Sequence, residues 1–362
     1  MNAFLPAMVV LLAMAVASPL AGCSPFSAPE GRTASFVQRD TGDTSLGRAV
    51  SPRVEAHGSE SGVFALRDGR DAFAARALLA EAAERTLDVQ YYIWHGDLSG
   101  TLLFEALLRA AGRGVRVRLL LDDNNTAGLD ALLVALDRHA NIEVRLFNPF
   151  PHRRWRWLGY LTDFARLNRR MHNKSFTADN QVTIVGGRNV GDEYFGAGQE
   201  LLFVDLDLMA IGPVVEEVSQ DFDRYWASAS AWPVDRVVGE IEAAEPDELA
   251  ARVARARLAP GASDYLRAVA RQPFVRELLA GALELEWAPA HLVSDDPAKG
   301  LGRAGDDTML PSRINELLGG PQTELELVSP YFVPATTGTA ALMHMAGQGV
   351  RVRVLTNSLA AT

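Results

Sequence analysis

One strand–helix–strand unit occurs twice in this chain, and that constrains its fold more than any other feature. LDVQYYIW (87–94), TLLFEALLRAAGRG (101–114) and VRVRLLLDD (115–123) recur late as LELVSPYFV (325–333), TGTAALMHMA and QGVRVRVLTNS (348–358). Gly-Val-Arg-Val-Arg stands at 114–118 and again at 349–353. Runs rich in β-branched residues, joined by a stretch with helical apolar spacing, predict a βαβ unit with parallel strands. Two copies so far apart exclude a short solenoid repeat and point to a duplicated domain. The fold class read from this is α/β.

The 362 residues suffice for two such halves, each with its own core. Asp71–Arg85 and LDALLVALDRHAN add helices to the first half, and IEVRLFN adds a strand. The organisation predicted is a leader over 1–23, a flexible tether over 24–62 and a first half over 63–235. A helical connector follows over 236–310, then the start of a second half over 311–362. The tether is Ser-, Gly- and Pro-rich without sustained periodicity, and would reach roughly 35 Å. The connector is Ala-, Arg- and Glu-rich and ends in the polar loop SDDPAKGLGRAGDD, with nothing catalytic evident in it.

The N-terminus has an apolar run, Met8–Val16, that Pro19 soon follows, too short for a spanning helix and suited to export. Leu20-Ala21-Gly22-Cys23 resembles the lipobox of bacterial lipoproteins, in which the cysteine is lipidated. Cys23 is the one cysteine in the chain, so no internal disulfide can form. The expected location is a bacterial cell envelope, lipid-anchored and facing the periplasm or the outside. A net charge of −10 argues against a general nucleic-acid binder.

The chemistry concentrates in RMHNKSFTADN, 170–180. In extended chain His172 and Lys174 project to one face and Asn173 to the other. Ala178–Gln181 has turn composition and QVTIVGG returns as a strand, so a hairpin brings Gly186, Gly187 and Asn189 back beside His172. Lysine supplies a fixed charge to phosphate oxygens. Histidine can attack phosphorus when neutral or protonate a leaving oxygen when charged. A carboxylate, here Asp179, can orient the ring, and Asn189 adds neutral donors.

His172, Lys174, Asp179, Gly186 and Asn189 together are similar to the His-x-Lys-x4-Asp motif of the phospholipase D superfamily, with Gly187 where many members carry Ser. Within it, LDVQYYIWHGDLSG, the basic lead-in to RMHNKSF and GGRNVGDEYF resemble bacterial cardiolipin synthases of the C type over roughly residues 60–362. The resemblance implies a duplicated α/β/α sandwich and phosphatidyl transfer through a phosphohistidine, with His172, Lys174, Asp179 and Asn189 catalytic. It implies membrane phospholipids as partners: phosphatidylglycerol, with phosphatidylethanolamine as an alternative. No metal or other cofactor is called for, and no nucleic acid is expected.

Two features qualify that picture. Residues 151–174 hold Arg153, Arg154, Arg156, Arg166, Arg169, Arg170 and Lys174 against the single acid Asp163, with Trp155, Trp157 and Tyr160 interleaved. Arg153, Arg154, Trp155, Arg156 and Trp157 are therefore candidates for binding headgroups at an anionic bilayer. Duplicated members of the superfamily use one such motif from each half, yet a second His-x-Lys occurs nowhere in the sequence. At the first half's offset the second histidine falls beyond Thr362. The expectation is a complete first half and a truncated second, inactive alone unless a C-terminal half or a homodimer completes the site. The alternatives are a lipid-anchored phospholipid-binding protein without turnover, and a single-motif phosphodiesterase or nuclease that works as a homodimer.

Overall fold

Regular structure begins earlier than the composition suggests. The computed structural model describes residues 32–196, 203–239, 246–330 and 332–358; Cys23, the leader and the side chain of Arg154 lie outside this set. The flexible tether expected over 24–62 is corrected wherever it is described. Val37 N–H donates to Asp223 (2.9 Å), Trp226 Nε1 to Ser35 Oγ (2.9 Å) and Arg118 Nη1 to the Ser35 carbonyl (3.0 Å). Helix α1 (Ser45–His57) follows, with Thr44 Oγ1 accepting the Gly47 N–H and with Leu46 and Val50 buried. A cap and tertiary burial hold this helix, and neither writes a strong periodicity into the sequence.

The first unit then runs β1 (Ser61–Leu66), α2 (Gly69–Ala82), β2 (Thr86–Tyr91), α3 (Leu98–Gly112), β3 (Arg116–Asp122), α4 (Asp130–Asp137) and β4 (Ile142–Phe147). Two short helices, α5 (Arg156–Thr162) and α6 (Phe164–Leu167), lead to the hairpin β5 (Ser175–Ala178) and β6 (Val182–Gly186). After α7 (Asp192–Phe195) come β7 (Asp207–Ile211), α8 (Pro213–Ala227) and β8 (Ala231–Pro233). Among the described residues the sheet has nine strands in the order β8-β4-β3-β2-β5-β6-β7-β1-β9, where β9 is Glu286–Ala288. β2, β3 and β4 are mutually parallel, as the βαβ reading requires, and β5, β6 and β7 are joined antiparallel.

Alternation along β3 shows how the layers form. Leu119 and Leu121 pack into the large cluster under α2, α3 and α4, with Phe73, Leu79, Phe104, Leu107 and Leu133. Leu120 points the other way, to Phe147 and to Phe222, Tyr225 and Trp226 of α8. Helices thus cover both faces of the sheet, an α/β/α sandwich. Each fully buried Leu or Phe contributes on the order of 1.5–3 kcal/mol.

The connector is helical at first, through α9 (Val234–Val238), α10 (Pro246–Leu258), α11 (Ala262–Arg271) and α12 (Phe274–Leu279). It then departs from expectation: β9 (Glu286–Ala288) returns to the first sheet and pairs with β1, Gly62 opposite Trp287. Pro297–Leu301 forms a 3-10 turn that belongs to this first unit.

The second unit comprises Val293–Asp296 and Gly305–Thr362. It contains α13 (Leu310–Leu318), β10 (Glu324–Val328), α14 (Ala335–Gly347) and β11 (Arg351–Leu355). β10 and β11 pair in parallel with Leu325 opposite Val352, the register in which Leu87 meets Val117 in the first unit. Gly114 and Gly349 both end a helix with positive φ, 96° and 89°. Val115 N–H reaches the Ala110 carbonyl at 3.2 Å, as Val350 N–H reaches that of Met345 at 3.1 Å. The sequence repeat is a repeat of structure down to its caps.

Candidate active site

The site lies where the parallel strands end and the hairpin begins. Asp122, at the end of β3 and fully buried, accepts the Met171 N–H (2.8 Å), and Gln90 Nε2 meets Met171 Sδ at 3.0 Å. These contacts fix the extended chain just before His172. Burial raises the Asp122 carboxyl to about 6 even though Arg170 lies close by. On the outward face His172 and Lys174 project together, with Lys174 Nζ 3.0 Å from His172 Nδ1 and 2.7 Å from the His172 carbonyl. Asn173 turns the other way, to Asp221 (3.3 Å).

Tyr92, just past β2, packs its ring 4.5 Å from the imidazole and 5.6 Å from the ammonium. Desolvation, then Lys174 and Lys299, push His172 down to about 4. The ring keeps an edge exposed to solvent, which tempers the burial effect without changing its sign. His172 is therefore neutral at neutral pH. Lys174 is buried and pushed down to about 8, chiefly by desolvation, while Asp205 and Asp207 act in the opposite sense.

Gly186 and Gly187 sit beside these groups for lack of room rather than for backbone freedom. A Cβ on Gly186 would lie 2.2 Å from Asp207 Oδ1, and one on Gly187 would lie 2.0 Å from Asp205 Oδ1. Asp207 is buried and ion-paired to Arg76 (2.8 Å) and Arg188 (3.6 Å), so the Arg of GGRN is structural. Asn189 is at the same end of the sheet and buried. Its Oδ1 accepts the Ile93 N–H (3.1 Å) and its Nδ2 donates to the Tyr194 hydroxyl (2.9 Å).

Asp179 requires a correction. Its carboxylate is fully buried and accepts the backbone N–H groups of Glu84 (3.0 Å), Arg85 (2.7 Å) and Thr86 (2.9 Å). Strand β5 carries it some 16 Å from Lys174, at about 3.3 Å per residue. It therefore fastens the start of β2 and does not orient the imidazole. The basic lead-in is corrected as well. Arg153 pairs with Asp123 and Asp130. Arg156 donates to the Asn124 carbonyl (3.1 Å) and to Thr126 Oγ1 (3.0 Å). These guanidiniums staple the helical turn to the acidic loop after β3 instead of facing headgroups, while Trp155 and Trp157 are exposed.

Sequence reasoning missed Lys299, Asp205 and Asp207. Lys299 sits in the polar loop read as inert. Its turn is seated where a Cβ on Gly300 would meet Ser230 Oγ at 2.5 Å and Phe147 at 3.0 Å. Only the fold brings that loop beside the motif. Among the described residues one group could hold a cation: His95, Asp97 and Glu193 bring ligand atoms within 4.8 Å of one another. His95 Nδ1 is already 3.2 Å from Glu193, and Asp97 caps α3.

Residues 76–226 match the family described as cardiolipin synthase, PLD-like domain. The chain belongs to the cardiolipin synthases of the phospholipase D superfamily, a family of phosphatidyltransferase enzymes. It is 56% identical over 318 residues to Cardiolipin synthase C of Escherichia coli (strain K12), covering 87% of this chain and 67% of that protein. To Cardiolipin synthase A of Pseudomonas putida (strain W619) it is 34% identical over 172 residues, covering 47% of this chain and 34% of that protein. The chain thus spans about two thirds of the Escherichia coli relative. Among solved structures, phosphatidylserine synthase of Haemophilus influenzae Rd KW20 shares the fold, with a TM-score of 0.51 and 12% identity over 86% of this chain and 66% of that one.

Proposed function

We propose that this chain carries half of a phosphatidyl-transfer site that makes cardiolipin from phosphatidylglycerol, the phosphatidyl group passing through a histidine. The observation that carries the reading is the neutral imidazole of His172 held 3.0 Å from the Lys174 ammonium. The cation offsets phosphate charge, and the neutral ring has a lone pair with which to attack phosphorus. In the first step one imidazole nitrogen bonds to phosphorus and the P–O bond to glycerol breaks. The leaving alkoxide takes a proton from a second histidine. In the second step a hydroxyl of another phosphatidylglycerol loses its proton to that histidine and attacks phosphorus. The P–N bond then breaks, leaving cardiolipin, with glycerol already released. His172 is one member of this pair.

The sequence holds a single His-x-Lys, so the partner histidine comes from a second copy or from further polypeptide. Cys23, as a lipid anchor in the cell envelope, would hold the site near its substrate. No described helix is long and apolar enough to cross a membrane. The test is cardiolipin formation from labelled phosphatidylglycerol by the chain alone, and by the chain mixed with the C-terminal third of the Escherichia coli relative. Product that depends on His172 in either arm supports the reading. Phosphodiester cleavage of DNA with none of phosphatidylglycerol would replace it with a nuclease.

A further inference from the structure

The segment between β4 and the motif is not explained by phosphate chemistry. Three of its arginines turn inward: Arg153 and Arg156 to the loop after β3, Arg166 to Asp163 and to the Pro149 carbonyl. The segment also leaves a group of large apolar side chains outside. Trp155 is 57% exposed, Trp157 62%, Leu161 75% and Phe164 59%. Trp157 and Leu161 stand four apart on α5 and so share a face, with Phe164 opening α6 just beyond. A surface meant only for water seldom groups four such side chains within ten residues.

We propose that Trp155, Trp157, Leu161 and Phe164 form the surface on which the protein seats itself on a phospholipid bilayer, with these side chains entering the boundary between headgroups and acyl chains. The choice of a bilayer rests on the phosphatidyl-transfer reading and deepens it. A two-chain lipid must bring its phosphate to His172 while its tails stay in the membrane, so a docking face has to adjoin the site. This one does. Asn148 Nδ2 donates to the Arg166 and Arg169 carbonyls (2.8 and 2.7 Å), and Arg170 donates to the Asn148 carbonyl (2.5 Å). The next residue is Met171, held by Asp122.

The segment offers no free acid to oppose an anionic surface. The segment's one acid, Asp163, is paired with Arg166, while Arg169 is exposed. Indole rings favour headgroup depth. The buried ion pairs of Arg153 hold the turn rigid, so the apolar side chains are presented without further ordering.

The experiment uses the full chain carrying Cys23→Ser, so that lipidation contributes nothing, with vesicles of phosphatidylglycerol and phosphatidylethanolamine. Brominated lipid should quench the reference protein, and Trp155→Phe with Trp157→Phe should float equally well yet lose most of that quenching. Replacing all four residues by Ser should weaken flotation on the order of a hundredfold, at an unchanged near-ultraviolet circular dichroism baseline from the buried aromatics. Vesicle binding is read without turnover, so an absence of cardiolipin synthesis leaves its outcome intact. Equal quenching of the reference and the Phe variant would overturn the proposal. So would a Ser variant that floats as before but sediments as monomer where the reference is a dimer, which would assign the patch to a second copy of the chain.

Discussion

Replacing Asp179 should damage the fold before it damages the chemistry. Its carboxylate receives three backbone N–H groups, those of Glu84, Arg85 and Thr86, at 2.7–3.0 Å. Hydrogen bonds to a charged acceptor are worth about 1.5–3 kcal/mol each, and a buried N–H left without a partner costs about 1–3 kcal/mol. The Thr86 amide is buried and cannot be rehydrated, whereas the other two are partly accessible. Asp179 also sits at φ 51°, where Asp and Asn are tolerated better than Ala. Together these terms give about 3–5 kcal/mol for Asp179→Ala, and less for Asp179→Asn, which keeps one acceptor and the backbone tolerance. With urea slopes of about 1–3 kcal/mol/M, the midpoint should fall by more than about 1 M. Urea unfolding followed by tryptophan fluorescence measures this. An Asp179→Ala protein that unfolds with the reference midpoint, yet has lost turnover, would refute the structural assignment and return Asp179 to the active site.

Other consequences are equally direct. Lys174 is pushed down to about 8, so binding of phosphate or tungstate should weaken as pH rises through that value, and Lys174→Met should abolish both affinity and pH dependence in titration calorimetry. His172 sits at about 4 in the fold against 6.5 in the open chain, so the unfolded ring takes up a proton that the folded one refuses. Stability should therefore drop as pH falls from about 6.5 toward 4, and His172→Gln should flatten that slope. Lys299→Met should raise the His172 titration seen by proton NMR, because it removes one of the charges opposing protonation. Asp207→Asn would leave the buried Arg76 without its counter-charge and should cost about 3–5 kcal/mol in urea unfolding. Cys23→Ser combined with replacement of Trp155, Trp157, Leu161 and Phe164 by Ser should move the protein from membrane to soluble fraction, whereas either change alone should leave part of it membrane-bound.

Much of the fold was legible because it rests on local, periodic signals. The apolar runs of β2, β3 and β4 and the glycine-ended helices between them set out a parallel sheet, and the shared GVRVR announced the second βαβ unit before its register could be compared. The pairing of His172 with Lys174 followed from strand alternation alone. What stayed hidden depended on distance in sequence. The acids that neutralise Arg153 lie 30 and 23 residues earlier, so a segment with six arginines reads as a cationic surface until the chain is folded. Lys299 and Asp205 reach the motif through tertiary contacts that no spacing reports. Asp179 was misjudged for the opposite reason: a motif groups it with His172, while four residues of β5 separate them in space.

The pair His172 and Lys174 is proposed to perform the phosphatidyl chemistry. The most direct test of that role is cardiolipin formation from labelled phosphatidylglycerol by the chain supplemented with the C-terminal third of the Escherichia coli relative, with His172→Ala in parallel. Product is expected with the reference chain and a loss of at least about 10³-fold in the variant, as for removal of one member of a catalytic unit, with unchanged urea unfolding near pH 7.5. Cardiolipin formed by His172→Ala at a rate within severalfold of the reference would contradict that role.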